Sequence, residues 1–186
     1  MRIISGTNKG KKLHLPDNNF TRPLRDMVKE SIFNLLTHSN KTEIDIENAN
    51  ILDLFAGSGS FGLECISRGS SCVYFFEKQQ IVLKTLKQNI NLLTKKDNYK
   101  IFEEDVIEFF LSKRKIDKKF DIIFIDAPFK EMRINVVIEK ILEKKMLTEK
   151  GIIILHRHKN DKIQITNRLN IFETRTYGVS KIYFVN

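Results

Sequence analysis

The sequence predicts an α/β fold, a mostly parallel sheet covered by helices on both faces. Three observations carry that expectation. Short apolar runs alternate with amphipathic stretches from Ile51 onward. Two of those runs, residues 120–126 and 151–155, are almost continuously apolar, as strands covered on both faces must be. A glycine turn, Gly57-Ser58-Gly59-Ser60-Phe61-Gly62, separates the first run from the first amphipathic stretch. Repeated strand–helix units of this kind close into a parallel sheet, because each helix carries the chain back across one face.

Residues 1–20 read as a small basic β-hairpin and residues 21–186 as the main domain. Arg2-Ile3-Ile4-Ser5 and Lys12-Leu13-His14-Leu15 alternate partly and flank the turn from Gly6 to Gly10. Arg2, Lys9, Lys11 and Lys12 make this piece positive, either as a solubilising edge or as a nucleic-acid contact. The stretch from Phe20 to Asp26 opens a helix, with Thr21 as its cap and Pro23 in the first turn. Met27, Ile32, Phe33, Leu35 and Leu36 give that helix an apolar stripe, and residues 39–49 form a polar linker.

The first strand then ends at Asp53. Residues 71–77 form the second strand, and 79–94 a helix with Val82, Leu86, Ile90 and Leu93 on one face. A third strand at 100–103 ends near Asp105, before a helix at 106–112 and a charged loop at 113–119. The fourth strand, 120–126, precedes a helix striped by Ile134, Val137, Ile138, Ile141 and Leu142. Residues 151–155 are the next strand, and the tail from 171 forms an antiparallel hairpin around Tyr177-Gly178.

A chain of 186 residues and net charge +9 suits one domain that buries roughly 70% of its unfolded surface. The basic balance favours polyanionic partners, nucleic acid first. Cys65 and Cys72 stand in apolar elements and form no C-x-x-C, which fits reduced thiols in a cytoplasmic protein. Neither a signal peptide nor an apolar run of about 20 residues is present, so no membrane partner is expected. His14, His38, His156 and His158 lack ligand spacing, so no metal is expected, and the last two are expected at a strand end near solvent. A monomer is the expected state.

Four consecutive units end in acids: Asp53, Glu77, Asp105 and Asp126. Ligands of parallel sheets bind beyond these strand ends, so the four acids imply one shared site. The spacing Gly57-x-Gly59-x-x-Gly62 fits a nicotinamide dinucleotide as well as other nucleotide ligands. Asp53, just before the turn, adds negative charge where a pyrophosphate needs donors, and it would welcome a cation instead. S-adenosylmethionine, with a sulfonium and an ammonium, is such a ligand. Glu77 suits ribose hydroxyls in either case. Asp105 can accept from an adenine amine while the Val106 N–H donates to a ring nitrogen. The candidate cofactor-binding set is Asp53, Phe55, Gly57, Ser58, Gly59, Glu77, Lys78, Asp105 and Val106.

Asp126-Ala127-Pro128-Phe129 favours the methyl donor. An exocyclic base amine is a poor nucleophile because its lone pair is delocalised into the ring. A carboxylate and a backbone carbonyl that each accept one N–H would turn that lone pair toward a methyl group. Asp126 supplies the carboxylate and Ala127 the carbonyl. Pro128 biases Ala127 toward extended dihedrals, and Phe129 is an aromatic on which the base can stack.

These residues give the sequence a family resemblance. Asp53 to Gly62, with Glu64 and Ser67-Arg68-Gly69, resembles the cofactor motif of class I, Rossmann-like methyltransferases, closest in form to the bacterial small-subunit (16S) ribosomal RNA guanine-N2 methyltransferases. The likeness extends to Arg2-Ile-Ile-Ser-Gly, Gly10-Lys-Lys-Leu, Arg22-Pro-Leu-Arg-Asp26, Lys29 to Asn34, the Asp126 segment and Tyr177-Gly. It implies a seven-stranded sheet with an N-terminal hairpin, S-adenosylmethionine as cofactor, and ribosomal RNA or a small-subunit particle as partner. It also implies that Asp126 and Phe129 hold a guanine and that Arg22 and Arg25 lie near the cofactor mouth and the RNA. The family usually has Asp-Pro-Pro-Phe or Asp-Pro-Pro-Tyr, so Ala127 is a departure that predicts a looser loop. Open alternatives are an adenine-N6 methyltransferase, a nicotinamide reductase, and a non-enzymatic RNA-binding or ribosome-assembly protein.

Overall fold

In the computed structural model, residues 1–17, 24–94, 97–161, 163 and 165–186 are described. Seven strands form one sheet in the order β3-β2-β1-β4-β5-β7-β6. The parallel part comprises β1 (Asn50–Leu54), β2 (Cys72–Phe76), β3 (Tyr99–Phe102), β4 (Phe120–Ile125) and β5 (Leu147–His158). The antiparallel edge comprises β7 (Ser180–Val185) against β5, and β6 (Ile171–Tyr177) against β7. Gly178 closes that last hairpin at φ +58, a conformation glycine reaches without a Cβ penalty.

Side chains alternate across the sheet and build two apolar layers. Ile51, Val73, Phe75, Ile122, Phe124, Ile152 and Ile154 face α1 (Asp26–His38), α2 (Ser60–Ser67) and α3 (Gln80–Leu93). Leu52, Leu54, Phe76, Ile123, Ile125, Ile153 and Leu155 face α4 (Val106–Leu111) and α5 (Ile134–Glu143). Burial on both faces explains the near-continuous apolar runs of β4 and β5. The expected fold, with helices on both faces and an antiparallel C-terminal hairpin, is the observed one.

Several boundaries differ from expectation. Helix α1 begins at Asp26, and Arg25 before it is extended at φ −64, ψ 142. Thr21 and Pro23, the expected cap and first-turn proline, lie outside the described residues, as does Arg22. Met27 is 60% exposed and does not belong to the buried stripe, whereas Lys29 is fully buried on that face. Strand β5 is longer than its apolar run, because Leu147 pairs with Phe120 of β4 at one end and His156, Arg157 and His158 pair with β7 at the other.

The N-terminal piece pairs through one antiparallel bridge, Arg2 with Lys12, supported by Ile3 N–H to Lys11 and Gly10 N–H to Ile3. Ile3 and Leu13 are buried in the same apolar cluster as α1 and α2. Ile4 and Ser5 N–H groups donate to the Glu64 carboxylate of α2, and Ser67 accepts Thr7 N–H through its carbonyl and Asn8 N–H through its hydroxyl.

Candidate active site

Register places the strand-end residues side by side. Leu54 pairs with Phe76 and with Ile125, and Phe76 pairs with Phe102. The residues that follow these strands therefore emerge at one edge. Sheet order reverses between β1 and β4, and a crevice opens at such a switch point. A cavity of about 410 Å³ lies there, within the roughly 300–1,000 Å³ of small-molecule sites. Its wall includes the glycine turn, Glu77, Asp105 and the Asp126 segment.

The turn is built on positive backbone angles. Phe55 has φ 61, Gly57 φ 59 and Gly59 φ 83. Phe55, an L-residue in the left-handed region, is a strained position of the kind that clusters at ligand sites. Nothing lies within 4 Å of where a Gly57 Cβ would stand, so this glycine leaves its backbone open to the cavity. Gly59 has a different part. A Cβ there would meet Leu86 Cδ1 at 2.5 Å, so Gly59 seats the turn on α3 and caps α2; it is not part of the cavity wall. Gly62 packs against the sheet, where a Cβ would meet Phe75 Cε1 at 2.3 Å.

Asp53 is 1% exposed and its Oδ2 accepts the Gly62 N–H at 3.0 Å. Burial pushes its pKa up to about 8, opposed by the Gly62 bond and assisted by the nearby Asp126 and Glu77 charges. Burial thus favours the neutral acid at Asp53, against the expectation of a plain negative charge at this position. Glu77 is clasped by backbone donors, with Oε2 accepting from Gly57 N at 3.0 Å and Oε1 from Lys78 N at 2.8 Å and Gln79 N at 2.9 Å. Asp105 caps α4 by accepting from Ile107 N at 2.7 Å and Glu108 N at 3.1 Å. Lys78 Nζ reaches Asp105 Oδ2 at 2.6 Å. Burial opposes the Asp105 charge, but the Lys78 bond and the two helix N–H groups together hold its pKa below the ordinary value.

On β4's exit, Asp126 Oδ1 lies 2.8 Å from His156 Nδ1. His156 belongs to the cavity wall and is 5% exposed, which overturns the expectation of a solvent position for it. The Phe129 ring stands edge-on to His156 and His158, with centroids 5.8 and 5.3 Å away. Arg157, 1% exposed, binds the carbonyls of Pro128, Phe129 and Glu131 at 3.3, 3.0 and 3.2 Å. Sequence reasoning singled out neither His156 nor Arg157 for this site. The only available signal was polar residues at the end of an apolar run, which ordinarily reads as the strand leaving the core.

Among the described lining residues six carry carboxyl groups, Asp53, Glu77, Glu104, Asp105, Asp126 and Glu131, against two lysines, Lys78 and Lys130. An acidic crevice in a chain of net charge +9 fits a cationic ligand and repels a pyrophosphate. Of the basic set, Arg2, Lys9, Lys11, Lys12 and Arg25 are exposed, while Pro16 and Leu24 reach the cavity wall on either side of the undescribed segment. The described residues contain no cluster of His, Cys, Asp and Glu that could hold a metal ion. None of their helices is long and apolar enough to cross a membrane.

Comparison with known proteins places this geometry. The chain matches the family described as Conserved hypothetical protein 95 over residues 1–186. It is 32% identical over 183 residues to YlbH of Bacillus subtilis, covering 98% of this chain and 96% of that one. It is 31% identical over 153 residues to ribosomal RNA small subunit methyltransferase D of Escherichia coli K12, covering 82% of this chain and 72% of that one. The solved structure of YhhF from Escherichia coli superposes with a TM-score of 0.84 at 25% identity, covering 100% of this chain and 96% of that one. The chain belongs to the Conserved hypothetical protein 95 family and is a methyltransferase of S-adenosylmethionine-binding fold.

Proposed function

We propose that this protein methylates the exocyclic N2 amine of a guanine in small-subunit ribosomal RNA. The observation that carries the reading is the acidic crevice closed on one side by Asp126-Ala127-Pro128-Phe129. The relatives that share most of the chain and act, by their names, on small-subunit ribosomal RNA support the substrate. S-adenosylmethionine supplies an electrophilic methyl group on a sulfonium. Asp53, Phe55, Gly57, Ser58, Glu77, Lys78, Asp105 and Val106 are the residues that would hold it, Glu77 at the ribose and Asp105 with Val106 at the adenine; Gly59 would support the turn beneath.

Asp126 and the Ala127 carbonyl each accept one N–H of the target amine and turn its lone pair toward the methyl group. Phe129 offers the base an aromatic face. Methyl transfer would form the carbon–nitrogen bond as the carbon–sulfur bond breaks, and Asp126 or water would take the amine proton. Positioning of this kind lowers the barrier mainly by removing lost orientations. RNA docks on Arg2, Lys9, Lys11, Lys12, Arg25 and Arg22, the last outside the described residues, and the target base leaves its stack at a cost of a few kcal/mol. The N-terminal residues 1–20 serve as an RNA-contacting extension in this reading.

The test is methylation of small subunits from a strain lacking this protein, with labelled cofactor and nucleoside analysis of the product. N2-methylguanosine is the expected product, lost in Asp126→Ala while S-adenosylhomocysteine still binds. N6-methyladenosine alone would overturn the base assignment. Unchanged function in Asp126→Ala would favour an assembly protein.

A further inference from the structure

Asp126 is not left alone at the cavity. His156, on β5 and also on the cavity wall, places Nδ1 at 2.8 Å from Oδ1. Both side chains are largely shielded, at 6% exposure for the histidine and 20% for the aspartate. His156 Nε2 is buried and has no hydrogen-bond partner among the described residues. These facts constrain the proton. An ionised carboxylate only accepts, so the hydrogen bond requires the proton on Nδ1. Nε2 lacks a partner in either form: protonated as well, it would add a charge to the shielded ring along with an unpaired donor, whereas bare it leaves one neutral acceptor unpaired, the smaller cost. The fitting state is the neutral ring with hydrogen on Nδ1 and a bare Nε2.

We infer that His156 is a positioning residue for Asp126, holding Oδ1 through Nδ1–H so that Oδ2 alone is presented to the substrate amine. An amine needs one acceptor on each of its two hydrogens. A carboxylate free to rotate offers either oxygen in a range of directions. One with Oδ1 pinned offers a single oxygen in a single direction. Phe129, edge-on to the His156 ring at 5.8 Å, keeps the imidazole from swinging away. His156 touches neither reacting atom in this scheme, and its effect passes through Asp126.

This inference rests on the methyltransferase reading for its kinetic consequence but not for its chemical one, so two experiments separate them. In the native protein, long-range nitrogen–proton NMR of the histidine rings reads the tautomer directly. His156 is expected with hydrogen on Nδ1, and Asp126→Leu is expected to return it to the commoner Nε2–H form. An Nε2–H tautomer in the native protein overturns the inference whatever the enzyme methylates. The second experiment compares His156→Leu, His156→Asn and His156→Gln in the subunit methylation assay. Asparagine carries an N–H near the Nδ1 position, and glutamine carries it near Nε2. Leucine and glutamine are expected to lower kcat by about 10- to 100-fold, the loss of one charge-assisted hydrogen bond. Asparagine is expected to stay within about threefold of the native kcat. S-adenosylhomocysteine affinity is expected to stay unchanged in all three. Equal loss in leucine and asparagine variants, loss matched by weaker cofactor binding, or native kcat in the leucine variant would each overturn the positioning role. If native protein methylates no RNA, the function proposal fails while the tautomer measurement still decides the contact.

Discussion

Lys29 Nζ lies 3.4 Å from Glu64 Oε2, with both side chains at zero exposure. The pair is a node. Lys29 also donates to the Arg2 carbonyl at 2.6 Å, and Glu64 accepts from Ile4 N, Ser5 N and Arg68 Nε. Burial drives the Lys29 pKa below its ordinary value, with Glu64 pulling it back. The N-terminal piece is thus fastened to α1 and α2 by a buried charge and its hydrogen bonds. Glu64→Leu leaves the buried Lys29 charge without its counter-charge, held only by the Arg2 carbonyl and the Ser60 hydroxyl, and leaves the Ile4 and Ser5 N–H groups unpaired; it is expected to cost about 3–5 kcal/mol in urea unfolding. Hydrogen exchange at Ile4 and Ser5 is expected to accelerate before global unfolding. Native protection there would show that the apolar contacts of Ile3 and Leu13 alone hold the segment.

Arg157 supports the Asp126 segment from beneath. Its guanidinium spans Pro128, Phe129 and Glu131 carbonyls, and Nε meets Asp161 Oδ2 at 2.6 Å. Lysine keeps the charge but cannot reproduce this fork. Arg157→Met is expected to destabilise by about 3–5 kcal/mol, because Asp161 loses its partner in a shielded site. Arg157→Lys is expected to regain part of that stability while KM for the RNA rises by about tenfold or more. Cofactor affinity, measured by calorimetry, is expected to hold in the lysine variant. A proportional fall in both affinities would mean that Arg157 serves general stability alone.

The legible part of this molecule was local. Apolar runs closed by Asp53, Glu77 and Asp126 announced buried strands with acids at one edge, because burial and register act residue by residue along a strand. The turn was legible through Gly57 and Gly62, the first open to the cavity and the second pressed against Phe75. His156, Arg157 and Lys29 were not legible. A charged or polar residue reads as surface unless its partner is known, and these partners lie 28 to 35 positions away, as Phe129 from Arg157, Asp126 from His156 and Glu64 from Lys29. The Asp53 charge failed for a related reason: sequence shows the carboxyl group but not its burial.

Asn89 ties the N-terminal piece to the glycine turn. Fully buried on α3, it accepts from His14 N at 2.8 Å and donates to the His14 and Ser58 carbonyls, each at 3.0 Å. Ser58 is on the cavity wall and Asn89 is not. Asn89→Leu strands these backbone groups at about 1–3 kcal/mol each. Weaker S-adenosylhomocysteine binding is therefore expected from a residue that lies outside the cavity, together with faster exchange at the His14 amide. Calorimetry on the folded variant, with stability measured alongside, separates this from simple unfolding. Unchanged affinity would show that the turn keeps its shape without α3.

Asp53 makes both stability and ligand binding depend on pH. Its folded pKa is about 8 against an ordinary 3.8, so between those values the folded protein holds a proton that the unfolded chain has lost. Stability is then greatest at the acid end of this window and falls as pH rises toward 8, with a limiting slope of about 1.4 kcal/mol per pH unit. Asp53→Asn keeps an oxygen for the Gly62 N–H and removes the titration. Its stability relative to the native protein is expected to improve steadily from pH 5 to pH 8 and to level off above. A cation in the cavity favours the ionised carboxylate, so S-adenosylmethionine binding at pH 7 is expected to release up to one proton. Titrations in two buffers of different ionisation enthalpy read this release as different apparent heats. The Asp53→Asn variant is expected to bind more weakly and to give the same heat in both buffers, since the proton has no other acid of this kind to leave. Identical heats for the native protein would place Asp53 in the same protonation state with and without the cation, and the acidic crevice would then act through Glu77, Asp105 and Asp126.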